Sequence, residues 1–176
     1  WSDFFRRGAE PGKNIEPQRG SLNLIPLSGR GRRFAEEGYE TPKPLIEISG
    51  KPMIIQAADC LPRAERHAFV CLKDHLSVFP LADAIRARYP RARIVEIDRV
   101  TEGQACTCEI GLRGESPDAP LLIGACDNGM TWDVEAYGRL LEDGAVDAVA
   151  WTFRHHPSGA QNPQMYGWVR VDADDN

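Results

Sequence analysis

Arg30, Arg32 and Arg33 crowd into one short turn, Ser28-Gly29-Arg30-Gly31-Arg32-Arg33, and Lys43 follows between two prolines in Thr41-Pro42-Lys43-Pro44. Guanidinium groups grip oxyanions in bidentate fashion and an ammonium meets them as a point charge, so this set suits a polyphosphate. Gly29 and Gly31 allow φ > 0 and close backbone approach, which lets N–H groups cradle phosphate oxygens. The loop is not a Walker loop, because no GxxxxGK[ST] occurs, and Phe34 stands where the dinucleotide fingerprint requires a third glycine. Taken alone, the turn reads equally well as a tight bend with solvated arginines. Lys43 shifts that balance: its flanking prolines stiffen the backbone and limit the entropy lost on fixing the side chain. The plain alternative for Lys43 is an exposed loop lysine.

Asp127 is the leading metal candidate, since it ends the apolar run Leu121-Leu122-Ile123-Gly124-Ala125-Cys126. That places a carboxylate at the C-terminal edge of a central strand. Magnesium takes oxygen ligands, typically one or two carboxylates plus substrate phosphates. An Asx-turn residue ahead of Asn128-Gly129 is the competing reading. Thr101 and Gln104 have the spacing of a capping box and would start a helix. His155 and His156 are adjacent, so in extended chain they point to opposite faces and do not share one metal. Cys106 and Cys108 lack the second pair of ligands that a zinc site needs.

These residues need elements to position them. Leu22–Leu27 is a strand ahead of the Gly-Arg loop, and Pro44–Ile48 a short extended piece turned by Gly50-Lys51. A helix runs from Pro52 to Leu61. His67–Leu72 is a buried strand, Asp74–Tyr89 a helix open to interruption at Pro80, and Arg93–Ile97 a strand. Gly103–Leu112 is a helix, Pro120–Ala125 a fully apolar strand and Trp132–Leu141 a helix. Val146–Phe153 and Tyr166–Val171 read as late strands separated by a polar loop. Strands apolar on both faces that alternate with helices predict an α/β three-layer sandwich with a mostly parallel sheet. Handed crossovers then bring every strand-to-helix loop to one sheet edge, where ligands bind.

Composition bounds the rest. The 176 residues suffice for one well-buried domain, and a net charge of −5 argues against a nucleic-acid or anionic-membrane binder. No apolar run approaches bilayer length, and the first residues are polar and do not read as the apolar h-region of a signal peptide. The first residue is Trp, which suggests a chain cut from a longer one, and residues 1–20 read as a linker or flexible tail before a domain over 21–176. Five cysteines without paired spacing fit a reducing cytoplasm.

The ordered motifs resemble the N-terminal signature of the sugar-phosphate nucleotidyltransferases, which make nucleotide-sugars. Gly29, Gly31, Arg33, Pro42, Lys43, Gly50, Lys51 and Pro52 fall in register with it. The similarity continues through Thr101-Glu102-Gly103-Gln104-Ala105, Gly124-Ala125-Cys126-Asp127 and Tyr166-Gly167, over residues 22 to about 172. It implies the nucleotide-diphospho-sugar transferase fold (GT-A/Rossmann-like) and transfer of a nucleoside monophosphate from an NTP, with release of pyrophosphate. Leu27, Ser28, Gly29, Arg30 and Gly31 would then hold the triphosphate, and Arg33 and Lys43 would stabilise its developing charge. Gly103 and Gln104 would lie beside the base, Asp127 would hold Mg²⁺, and Tyr166 and Gly167 would approach the acceptor. That acceptor is a sugar 1-phosphate or a phosphocholine-like amino-alcohol phosphate, and a homo-oligomer is allowed. Family members continue beyond the Tyr-Gly strand, whereas this chain stops at Asp172-Ala173-Asp174-Asp175-Asn176. The acidic end mimics a DxD motif but reads more simply as a turn. A non-catalytic nucleotide-binding module and a glycosyltransferase of similar fold are the alternatives.

Overall fold

A computed structural model describes residues 15–154 and 157–172; the side chains of Arg32 and Arg33 are outside that description, as are His155, His156 and the acidic residues after Asp172. The chain divides into two compact units, Trp1–Gly138 and Arg139–Asn176.

The first unit is built on a parallel four-stranded sheet in the order β5-β4-β1-β6. Its strands are β1 (Leu22–Leu27), β4 (Arg66–Leu72), β5 (Arg93–Ile97) and β6 (Leu121–Ile123). β1 sits between β4, with Leu22 opposite Arg66 and Leu27 opposite Cys71, and β6, with Leu22 opposite Leu121. Two very short strands, β2 (Glu47–Ile48) and β3 (Lys51–Pro52), form a separate antiparallel ribbon. The turn between them carries Ser49 at φ 52° and Gly50 at φ 80°.

Pro26 inside a central strand would normally cost a ladder bond. Here the Leu24 carbonyl accepts from Gly124 N–H at 3.0 Å, so the backbone groups of alternate residues face β6. Pro26 falls two residues further on, beyond the last β6 partner, where no donor is required.

Alternate strand residues feed opposite faces, because side chains of a strand alternate. Ile25, Leu27, Phe69 and Cys71 pack with Ile54, Ile55 and Ala58 of α2 (Met53–Asp59) and with Leu81 and Ile85 of α4 (Leu81–Arg88). Leu22, Leu24, Ala68, Val70 and Leu72 pack on the other side with Cys108 of α5 (Gln104–Gly111). Helices on both faces make the three layers expected from the sequence. α5 lies close because Gly111 has no side chain: a Cβ there would meet Leu24 Cδ1 and Val70 Cγ2, each at 2.7 Å. Pro80 divides the long helix expected over 74–89 into α3 (Lys73–Val78) and α4. α1 (Arg32–Glu36) follows the Gly-Arg loop, and α6 (Val134–Glu142) follows β6.

Two expectations fail. β6 is an edge strand rather than a central one among the described residues, and Leu121 and Ile123 are 43% and 46% exposed. Its apolar run indicated burial on both faces, but only Leu122 reaches the core. The late strands over 146–153 and 166–171 are also not formed. Val149, Trp151 and Phe153 keep the alternation of a strand yet stand 40–60% exposed. A strand exists only through a partner ladder, and apolar alternation does not supply one. The second unit instead contains α7 (Pro157–Gln161) and a 3-10 turn at Pro163–Met165, where a polar loop was expected. Among the described residues no helix is long and apolar enough to cross a membrane.

Candidate functional site

Parallel strands put the ends of β1, β4, β5 and β6 on one edge, and the loops beginning at Ser28, Lys73, Asp98 and Gly124 leave from it. Of the candidate residues of the first unit, Gly31, Lys43 and Asp127 meet there through direct contacts.

Lys43 opens a 3-10 turn, Lys43–Leu45, which takes up Pro44 and Leu45 of the extended piece expected over Pro44–Ile48. Pro42 precedes the turn and Pro44 is buried, so the lysine is anchored on both sides. Its ammonium donates to Asp127 Oδ2, joining chain positions 84 residues apart. The two side chains are 26% and 31% exposed, so the pair is partly shielded from water. The ammonium also lies 5.2 Å from the Phe34 ring centroid, a cation–π distance. Phe34, which breaks the dinucleotide fingerprint, thus forms a wall for Lys43, and Tyr39 packs edge-on against it at 5.6 Å.

The Gly-Arg loop meets Lys43 through Gly31. Gly31 has φ 59°, and a Cβ built there would lie 3.2 Å from Lys43 Cβ. Both the backbone conformation and the close approach favour glycine at this position. Gly29 differs from the expectation: its φ is not positive and nothing lies within 4 Å of a Cβ placed on it. Arg30 is exposed and pairs with Asp74 at 3.6 Å. For Arg33 the structure gives only its backbone place in the first turn of α1. Leu27 ends β1 with its side chain in the core, leaving only its backbone to the edge.

Ser28 is buried and bonded to Thr107, which the sequence reading missed. The Ser28 and Thr107 hydroxyls lie 3.0 Å apart, and Thr107 also reaches the Thr101 hydroxyl at 2.6 Å. Thr101 donates to the Gly103 carbonyl at 2.9 Å. The expected capping box is not made: Gly103 is the N-cap, in extended conformation, and no side chain caps α5. Gln104 opens the helix exposed to solvent. A threonine in the middle of an otherwise apolar helix face was the available signal for Thr107.

Burial pushes the Cys126 thiol, one residue before Asp127, up to about 11, with the neighbouring carboxylate adding to the effect. Cys126 is therefore neutral at ordinary pH. Among the described residues no group of three His, Cys, Asp or Glu side chains is placed to hold a metal. The donor set fits a cation that arrives on a polyphosphate and takes one protein carboxylate, Asp127; it does not fit a resident all-protein metal site.

Tyr166 and Gly167 belong to the second unit. There the Tyr166 ring stands edge-on to Phe153 at 5.6 Å, its hydroxyl is bonded to that of Ser158, and Gly167 is exposed.

No family model matches the chain, and no curated protein matches it. Among solved structures it is similar to a nucleotidyl transferase from Methanothermobacter, with a TM-score of 0.49 and 21% identity over 61% of this chain and 50% of that one. It is also similar to a nucleoside-diphosphate-sugar pyrophosphorylase from Vibrio cholerae, with a TM-score of 0.49 and 22% identity over 65% of this chain and 52% of that one. The match spans about half the length of each of these proteins.

Proposed function

We propose that this chain binds a nucleoside triphosphate at the C-terminal edge of its parallel sheet and transfers the nucleoside monophosphate to a phosphorylated acceptor. The observation that carries the reading is the Lys43–Asp127 pair beside the Gly31 turn: an anchored ammonium and a carboxylate meet against a glycine of the loop after β1. An oxygen of the acceptor phosphate attacks the α-phosphorus in line. The bond to the β-phosphate breaks, and pyrophosphate leaves with the bonding electrons. Positioning and charge neutralisation supply most of the acceleration in such a transfer.

The backbone from Leu27 to Gly31 holds the phosphates, and Lys43 moves from Asp127 to the developing charge. The family resemblance gives Arg33 the same task as Lys43, and places Gly103 and Gln104 beside the base. Asp127, once released, would hold a Mg²⁺ ion borne by the triphosphate, which supplies charge neutralisation on the phosphate oxygens. A sugar 1-phosphate is the leading acceptor class and an amino-alcohol phosphate the second.

Mixing the protein with each of the common NTPs, Mg²⁺ and a panel of sugar 1-phosphates and phosphocholine tests this. Pyrophosphate should appear with one pair and disappear in Lys43→Ala. Mg-dependent NTP binding without pyrophosphate from any pair would instead favour a non-catalytic nucleotide-binding module.

A further inference from the structure

Thr107 lies in the second turn of α5 with 1% of its surface exposed, and a buried hydroxyl is costly unless it is hydrogen-bonded. It has three oxygens in reach: Ser28 Oγ at 3.0 Å, Thr101 Oγ1 at 2.6 Å and the Gly103 carbonyl at 3.3 Å. Each hydroxyl carries one proton. Thr101 places its own on the Gly103 carbonyl. In the short contact between the two threonines Thr107 is then the donor, and in the contact with Ser28 the donor is Ser28. The protons run from Ser28 to Thr107 to Thr101 to the Gly103 carbonyl, which serves the three shorter contacts and leaves the 3.3 Å Thr107–Gly103 contact without a proton. With Thr107 on the carbonyl instead, Thr101 donates to Thr107, and Ser28 still donates inward.

Two consequences follow. The chain ties the loop after β1 to the loop after β5, although β4 separates those strands in the sheet. It also turns the Ser28 proton inward. Ser28 is 8% exposed, so what it presents to the edge is an oxygen with lone pairs only.

We infer that Thr107 is a positioning residue that fixes Ser28 as a hydrogen-bond acceptor in the nucleotide site. The Ser28 side chain then takes an N–H or O–H of the ligand, as a nucleobase or ribose provides, and offers no proton to a phosphate oxygen, which is left to the backbone of the loop. The inference rests on the nucleotide reading and extends it to a residue outside the family pattern quoted above.

The test compares two probes, the NTP that wild type binds best and inorganic tripolyphosphate, by calorimetry on wild type, Thr107→Val and Thr107→Ser. Thr107→Val keeps the shape and removes the hydroxyl. It should weaken NTP binding by about five- to tenfold, the worth of one hydrogen bond. Tripolyphosphate binding should stay within about twofold, and Thr107→Ser should restore the NTP affinity. If Thr107→Val does not fold, Ser28→Ala probes the other end of the chain and should show the same split between probes. Equal losses on both probes, or an NTP affinity unchanged in Thr107→Val or in Ser28→Ala, overturn the inference alone. A wild-type protein that binds no NTP overturns the nucleotide reading and this inference with it.

Discussion

Asp127→Asn should change nucleotide affinity in opposite directions with and without magnesium. In the free protein the Asp127 carboxylate holds the Lys43 ammonium, so a metal-free triphosphate must win that ammonium from a carboxylate while facing the carboxylate's own charge. Two unit charges about 6 Å apart repel by about 3 kcal/mol at an effective dielectric constant of about 20 and by about 0.7 kcal/mol in bulk water. The pair is 26% and 31% exposed, which sets the effect between those limits. About 1–2 kcal/mol corresponds to about five- to thirtyfold tighter binding of metal-free triphosphate by the asparagine variant. Under the proposed reading the same change, with Mg²⁺ present, removes the carboxylate that would hold the metal, and binding should weaken. Calorimetry in EDTA and in excess Mg²⁺, at low and at moderate salt, reads both signs. The gain in EDTA should shrink as salt rises, because screening acts on partly exposed charges. A change of the same sign in both conditions would refute the proposed exchange of partners at Lys43.

Gly31→Ala should cost about 1–2 kcal/mol in urea unfolding, because alanine resists φ 59° and its Cβ would crowd Lys43 Cβ; triphosphate binding should fall with it. Gly29→Ala, with open space around it, should shift stability by less than about 0.5 kcal/mol. Burial, aided by Arg88 and opposed by Asp59, lowers the His67 pKa to about 4, so its NMR titration should fall well below the ordinary histidine midpoint. The folded state favours neutral His67, so this contribution is complete above pH 6.5 and is lost as pH falls towards 4. His67→Phe should flatten that part of the stability curve, by about 2–3 kcal/mol at most. Cys71, fully buried and pushed up to about 12, should resist a thiol reagent at pH 8 until the protein is unfolded.

The legible part of the fold is the part whose residues satisfy local and tertiary demands together. Leu22–Leu27 is apolar at nearly every position because helices cover both faces of its sheet, and that doubled burial shows directly in the sequence. Arg93–Ile97 and the helix after Gly103 are likewise formed within a residue or two of their expected ends. What failed depended on partners. Leu121 and Ile123 resemble core residues, yet their burial needs a neighbour on the outer side of β6. The stretch 146–153 alternates like a strand but has no ladder to join among the described residues. In the site, the types of Lys43 and Asp127 and their place at one sheet edge were readable, while their ion pair across 84 positions was not. Thr107 stayed hidden because its role lies in which oxygens surround it, and spacing along a helix does not report that.

The ion pair also explains why a lysine placed between two prolines is useful before any ligand arrives. A half-buried ammonium without a counter-charge would be costly and would search other conformations. Asp127 supplies the counter-charge, while Pro42, the buried Pro44 and the Phe34 ring restrict where the ammonium can go. Under the proposed reading, substrate binding is then an exchange of equals. Lys43 gives up a carboxylate for a phosphate, and Asp127 gives up an ammonium for a metal cation. Neither charge is left unpaired when metal and triphosphate enter together, but one is left unpaired when either enters alone. The site therefore favours the metal complex of the nucleotide over its separate components. Much of the orienting entropy of Lys43 is already spent in the free protein.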